Sequence, residues 1–396
     1  MTSLTLDEAT LLAAAEEKCG LNQIDDETFY DRLALIVERL HEEQLPEDRY
    51  PDAIDQISDI IAERMRIARD RREHPEIAEQ QIERPLIVTG FARSGTSMLQ
   101  ALLAEDPNSR SPQQWETHFP SPPPALAPAN DDRVERATLV GQENRKRQPG
   151  TLQAHPYSDA GGLALAECES FFALDLRNTT PQRFFKIPAL RIVGRDGEPV
   201  TPRSQSPDYI ANYGWHREIL QHLQWGGPPR RWALKGTQHQ YHLTELKTIY
   251  PDAMIVWTHR DVLSVLPSLF ELLSRINEGI VGKVNRPALG AQVLAGIHAE
   301  LMGALENPLV DDDSVLHLPY RETMADPVAA VRGIYEHFDL PFSDEFERRI
   351  RAWPEANPAG RYGKFEYSLD DFELEADELS RMFAPYHERF GVPSDR

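Results

Sequence analysis

Cysteine is nearly absent from this chain. Its 396 residues contain two, Cys19 and Cys168, too few and too far apart for a disulfide framework or a structural zinc site. The histidines fall into no HExxH or paired-cysteine pattern, so no metal is expected. The first residues, MTSLTLDEAT, lack the basic and apolar regions of a signal peptide, and the apolar runs read shorter than a membrane span. A cytoplasmic chain without a membrane span is the expectation. Net positive charge is missing too: 42 Lys and Arg stand against 64 Asp and Glu, a formal charge of −22. Such a mean field repels polyanions and argues against nucleic acid and heparin-like glycans as partners. A compact anion can still bind where a few cations and backbone N–H groups converge. No internal repeat or low-complexity tract is visible.

With 40% hydrophobic residues the chain can bury a substantial core. Residues 1–83 read as a helical extension, with apolar residues three and four apart over Leu6–Ala15, Glu27–Leu40 and Ala53–Ala68. A scaffolding role or a homodimer contact is expected of it. Residues 84–396 read as an α/β domain, a P-loop-like parallel β-sheet flanked by helices.

The stretch that organises this domain runs from Pro85 to Leu103. Leu86, Ile87 and Val88 form a short run suited to a strand covered on both faces. From Gly95 the apolar spacing turns helical, through Met98, Leu99, Leu102 and Leu103. The turn between them would aim loop and first-turn N–H groups at one spot, which makes an anion site. Gly90 and Gly95 have P-loop spacing, yet Thr96 stands where a nucleoside triphosphatase has its Lys, followed by Ser97. The cation has moved into the loop as Arg93, and a guanidinium there suits a phosphate or sulfate ester held without an obligatory metal.

Two further strands end in chemistry. Arg231–Lys235 leads into Gly236-Thr237-Gln238-His239, and Ala253–Thr258 leads into His259-Arg260-Asp261, with Asp261 a good N-cap for a helix over Val262–Leu273. The rhythm continues through a helix at Ala291–Leu305, a strand at Val315–Leu318, a helix at Pro327–His337 and a final helix at Leu374–Phe390. A parallel sheet would collect Arg93, Lys235 and Arg260 at its C-terminal strand ends. The segment Ser111–Asn130, with Pro120, Pro122, Pro123, Pro124 and Pro128 among its residues, reads as a long stiff loop of the kind that often carries function. Helices are expected at Asp131–Arg147, Leu163–Leu174 and Tyr209–Gln224.

These motifs resemble those of sulfotransferases that use 3′-phosphoadenosine 5′-phosphosulfate (PAPS), in the bacterial branch similar to tyrosylprotein sulfotransferases. The resemblance runs from about Arg84 to the C-terminus. Arg93, Ser94, Gly95, Thr96 and Ser97 resemble the family's 5′-phosphosulfate loop. Arg260 and Ser268, eight residues apart, resemble its 3′-phosphate pair, and Leu234-Lys235 with His239 resembles a third signature. The resemblance implies PAPS as donor, 3′-phosphoadenosine 5′-phosphate (PAP) as product, no metal, and a small-molecule or glycoconjugate acceptor presenting a hydroxyl or an amine. It places the catalytic base at Glu116, near the position of a family Glu; His239 and His118 are rivals because imidazole is the commonest general base, and Lys235 can stabilise the leaving phosphate or equally serve as a structural ion-pair partner. His155, Glu167 and the helix around Cys168 resemble the acceptor side. Arg361 and Lys364, in Gly360-Arg361-Tyr362-Gly363-Lys364, resemble a late basic loop over the 3′-phosphate, where Phe365 departs from the family's His.

Two other readings remain open at this level. A P-loop kinase or NTPase would need Mg²⁺ and prefer ATP. A non-catalytic protein of the same fold would bind a nucleotide without turning it over.

Overall fold

The structure, a computed structural model, describes residues 5–42, 45, 47–147, 151–154, 157, 159–177, 209–281, 284–358, 361–363 and 367–394. Five strands, β1 (Leu86–Gly90), β2 (Ser109–Arg110), β3 (Arg231–Lys235), β4 (Met254–His259) and β5 (Val315–Pro319), form one parallel sheet in the order β2-β3-β1-β4-β5. The sheet bears out the α/β reading. All five residues of the central β1 are buried, which is why its apolar run is continuous rather than alternating. Val88 lies opposite Lys235, and Gly90 opposite Thr258, so the ends of β1, β3 and β4 form one rim.

Among the described residues the α-helices of five or more residues are, in chain order, α1 (Glu8–Cys19), α2 (Glu27–Glu42), α3 (Tyr50–Glu73), α4 (Thr96–Leu103), α5 (Gln114–His118), α6 (Arg133–Arg147), α7 (Cys168–Ala173), α8 (Tyr209–Gln224), α9 (Leu243–Ile249), α10 (Val262–Val281), α11 (Arg286–Leu305), α12 (Tyr320–Ala325), α13 (Pro327–His337), α14 (Asp344–Ala356), α15 (Ala376–Met382) and α16 (Ala384–Phe390). Leu86, Val88, Ala233 and Val256 face one layer with Leu99 of α4 and Val331 of α13. Ile87, Leu234, Ile255 and Trp257 face the other, with Ile219 of α8, Leu246 of α9 and Val265 of α10. Alternation along each strand thus assigns α4 to a named face, the one that Lys235 shares with Ala233.

The N-terminal helices have their own apolar cluster, including Leu11, Phe29, Leu33, Ile57 and Ile61. A buried charge cluster joins them to the body. The Asp175 carboxylate accepts from Arg32 of α2 (2.6 Å), Arg64 of α3 (2.7 Å) and Arg177 (2.6 Å). Three guanidinium groups offset the cost of burying that carboxylate.

The Pro-rich segment is held rather than loose. Arg133, 3% exposed, donates from Nη1 to the carbonyls of Phe119 (3.1 Å) and Pro122 (2.6 Å), and its guanidinium lies 4.7 Å from the Trp115 ring centroid. Ser121 donates to Asp70 of α3 at 2.5 Å. Part of this segment is the short helix α5, so it forms a wall of the fold.

Three expectations are corrected. The helix expected from Leu163 begins only at Cys168, because Leu165 pairs with Gln113 and Ala166 N–H donates to the Pro112 carbonyl. The final helix is two, broken at Phe383, with Pro385 in the first turn of α16. Helix α11 is long and apolar enough, by length and composition, to cross a membrane, contrary to the reading of short apolar runs. Here Leu289, Leu294 and Leu301 of that helix are buried against the body.

Candidate active site

The turn after β1 is shaped by what lies under it. Gly90 has φ 135°, and a Cβ built there would stand 2.4 Å from Thr258 Oγ1 and 2.5 Å from the Thr258 carbonyl. Ser94 fills the space below: its hydroxyl donates to the Phe91 carbonyl (2.6 Å) and lies 2.7 Å from Thr258 Oγ1. Gly90→Ala is therefore expected to destabilise the protein by about 1–3 kcal/mol through backbone strain alone. Chemical denaturation would read this, and an unchanged midpoint would contradict it.

Arg93, next in the loop, has φ 75°. A left-handed conformation costs a residue with a side chain about 1–2 kcal/mol, and here it turns the guanidinium back over the rim. Its Nε donates to Ser268 Oγ of α10 at 3.1 Å. Arg260, at the end of β4, donates from Nη1 to the Arg93 carbonyl at 2.8 Å and stacks 4.2 Å from the Tyr320 ring centroid. Burial lowers the Arg93 pKa below the usual guanidinium range; Tyr367 opposes this and the charge of Arg260 adds to it. Two neighbouring, partly desolvated cations at the N-terminal end of α4 favour a bound anion.

The loop candidates divide by burial. Ser94 is 1% and Thr96 2% exposed, and the Ser94 hydroxyl serves the turn rather than a ligand. Ser97, half-buried in the first turn of α4, and Gly95, whose added Cβ would meet the Tyr320 ring at 2.9 Å, lie at the rim. Tyr320 was missed from the sequence. It follows β5, and the rule that placed Arg260 at a strand end applies to it equally.

At the end of β3, Lys235 forms an ion pair with Glu167 at 2.5 Å. Gln100 of α4 donates to the neighbouring Ala166 carbonyl at 2.9 Å, so Glu167 stands beside α4. The Glu167 side chain is 27% exposed, against 4% for Lys235. Glu169 accepts from Thr237 N–H at 2.9 Å and steadies the turn after β3.

The other base candidates lie deeper in the fold. Glu116 is the N3 residue of a capping box on α5: it accepts from Gln113 N–H at 2.9 Å and ion-pairs with Arg110. Arg110 also lies over Trp232, 4.1 Å from its ring centroid. Trp232 is three residues before the end of β3. Burial raises the Glu116 pKa and Arg110 opposes it. His239 is 0% exposed, with Nδ1 2.8 Å from the Tyr213 hydroxyl. Burial lowers its pKa well below the usual imidazole value, which disfavours the charged ring. His118 sits on α5 beside Phe119, its pKa also lowered by burial.

Arg361 is paired with Asp159 at 2.8 Å, and Tyr362 donates to the same carboxylate at 2.6 Å. These contacts dock the late loop on the segment carrying Tyr157, whose phenol pKa burial raises while Arg361 and Arg93 oppose the rise. His155, Gly360, Lys364 and Phe365 lie outside the described residues. Among the described residues no cluster of three or more His, Cys, Asp or Glu could hold a metal ion.

Comparisons agree with this geometry. The model of the Sulfotransferase family matches residues 85–344. No curated protein matches. Among solved structures, sulfotransferase STF9 from Mycobacterium avium is similar with a TM-score of 0.81 and 25% identity, over 99% of this chain and 99% of that one. Sulfotransferase STF1 from Mycobacterium tuberculosis H37Rv is similar in fold, with a TM-score of 0.76 and 24% identity, over 97% of this chain and 99% of that one. The likeness therefore extends across the N-terminal helices as well as the sheet.

Proposed function

Because the chain belongs to the sulfotransferase family, whose model spans residues 85–344, we propose that its strand-end cradle takes PAPS as sulfuryl donor. The observation that carries this is a convergence: Arg93 is linked to Arg260 and Ser268, more than 160 residues away in sequence, by contacts of 2.8 and 3.1 Å. The donor has two anionic ends, and the cradle supplies a cation for each. Arg93, Ser97 and the first turn of α4 would hold the 5′-phosphosulfate; Arg260 and Ser268 would hold the 3′-phosphate. Each charge-assisted hydrogen bond contributes about 1.5–3 kcal/mol, so a few suffice to fix the donor.

Transfer is an in-line displacement. The acceptor oxygen or nitrogen forms a bond to sulfur while the bond from sulfur to the 5′-phosphate oxygen breaks, and the electron pair leaves with the phosphate. Glu167 takes the acceptor proton. Lys235, held at 2.5 Å by Glu167, stabilises the charge that develops on the transferred group and the departing oxygen. Arg93 acts on the same charge from the loop. A small-molecule or glycoconjugate acceptor with a hydroxyl or an amine fits a carboxylate base at a partly open rim.

A kinase reading lacks support at two positions. Thr96, where the phosphate-gripping Lys would be, is 2% exposed, and Asp261 accepts from Leu263 N–H at 3.0 Å as a helix cap rather than facing a metal. Arg260→Ala tests the donor reading. PAP affinity should fall by about tenfold or more, one charge-assisted contact, while adenosine 5′-phosphate binds as before. Equal losses for both ligands would count against this assignment.

A further inference from the structure

Arg260 is presented by a turn, His259 to Val262, between β4 and α10, and one helix grips that turn from both sides. We propose that the C-terminal helix α16 sets the position of Arg260, with Tyr386 and His387 as positioning residues for recognition of the 3′-phosphate. The proposal rests on the donor reading above and extends it to residues that touch no ligand.

The polar contacts fix the direction of a buried chain. His317 Nε2 lies 2.7 Å from the Val310 carbonyl, so that nitrogen carries the proton. A neutral imidazole has one N–H, so His317 Nδ1 accepts, and the donor to it at 2.8 Å is His259 Nε2. His259 Nδ1 is then an acceptor too, and the Tyr386 hydroxyl, 3.1 Å away, donates to it. The Tyr386 oxygen is left to accept from Arg260 N–H at 3.4 Å. One backbone carbonyl on the far side of β5 thereby orients every proton up to the Arg260 peptide. Burial lowers the pKa of both histidines, in keeping with neutral rings. Phe390, one turn on from Tyr386, stacks on them, its centroid 4.1 Å from His259 and 4.7 Å from His317.

The second grip is on the start of α10. His387 Nε2 accepts from Val262 N–H at 3.3 Å and lies 3.6 Å from Asp261 Oδ1. Asp261 caps α10, the helix that carries Ser268. The two consecutive residues Tyr386 and His387 therefore hold the strand end that aims Arg260 and the helix start that aims Ser268. Packing alone would be served by Phe at 386 and by Ala at 387.

Tyr386→Phe and His387→Ala test this by calorimetric titration with PAP and, separately, adenosine 5′-phosphate. Tyr386→Phe should lower the preference for PAP by about three- to tenfold, the worth of one hydrogen bond, with affinity for adenosine 5′-phosphate unchanged. His387→Ala, on a half-buried helix face that accepts Ala, should shift the same ratio in the same direction by less. Unchanged ratios in both variants would overturn the proposal. So would a loss in Tyr386→Phe shared equally by both ligands, which marks a packing role. Should Tyr386→Phe fail to fold, the His387→Ala ratio decides. A parent protein without preference for PAP would instead defeat the donor reading itself, and with it the need for any positioning.

Discussion

Glu167→Gln is expected to lower kcat by about 10²- to 10⁴-fold, the usual contribution of a positioned general base, while PAP binds as to the parent. The amide keeps an oxygen for Lys235 and loses the capacity to take a proton. Glu116→Gln is the contrasting variant. Its carboxylate caps α5 and pairs with Arg110, so the change should cost about 1–3 kcal/mol of stability and leave turnover per folded molecule intact. Steady-state rates with any accepted substrate, normalised to folded protein, separate the two. An active Glu167→Gln with an inactive Glu116→Gln would return the base to α5.

Arg93→Gly is expected to lower kcat/KM by about 10²- to 10³-fold, as for loss of one preorganised group that stabilises transition-state charge, without lowering the melting temperature. Arg93 sits at φ 75°, where glycine is at ease and a residue with a Cβ is strained. The variant removes the cation and the strain together. Arg93→Ala removes only the cation, so it should be less stable than Arg93→Gly by about 1 kcal/mol. Strain maintained at a position whose side chain faces the rim indicates that the loop is built for binding. Equal melting temperatures for the two variants would mean that the conformation carries no stored strain.

The sheet was legible because its signals are local. The apolar run at Leu86–Val88, the Gly90 and Gly95 spacing and the Asp261 cap each state their own structure, and β3, α8 and α13 begin and end where periodicity places them. Strand β2, two residues long, is too short to carry a period. The Arg93, Arg260 and Ser268 constellation was legible because strand ends in a parallel sheet share one rim. The base was not. Glu116 sits in a polar, Pro-rich segment that reads as exposed, yet Arg133 and Asp70 draw that segment into the fold and Arg110 takes its carboxylate. Glu167 reaches the rim only because its segment runs antiparallel to Gln113 beside α4, a pairing that leaves no mark in the local sequence.

The donor site is the central claim, and calorimetric titration with PAP, repeated with ATP and Mg²⁺, tests it most directly. Tight, metal-independent binding of PAP with weak binding of ATP is the result expected from two cations spaced for a 3′-phosphate and a 5′-phosphosulfate. Binding that prefers ATP and requires Mg²⁺ would contradict it.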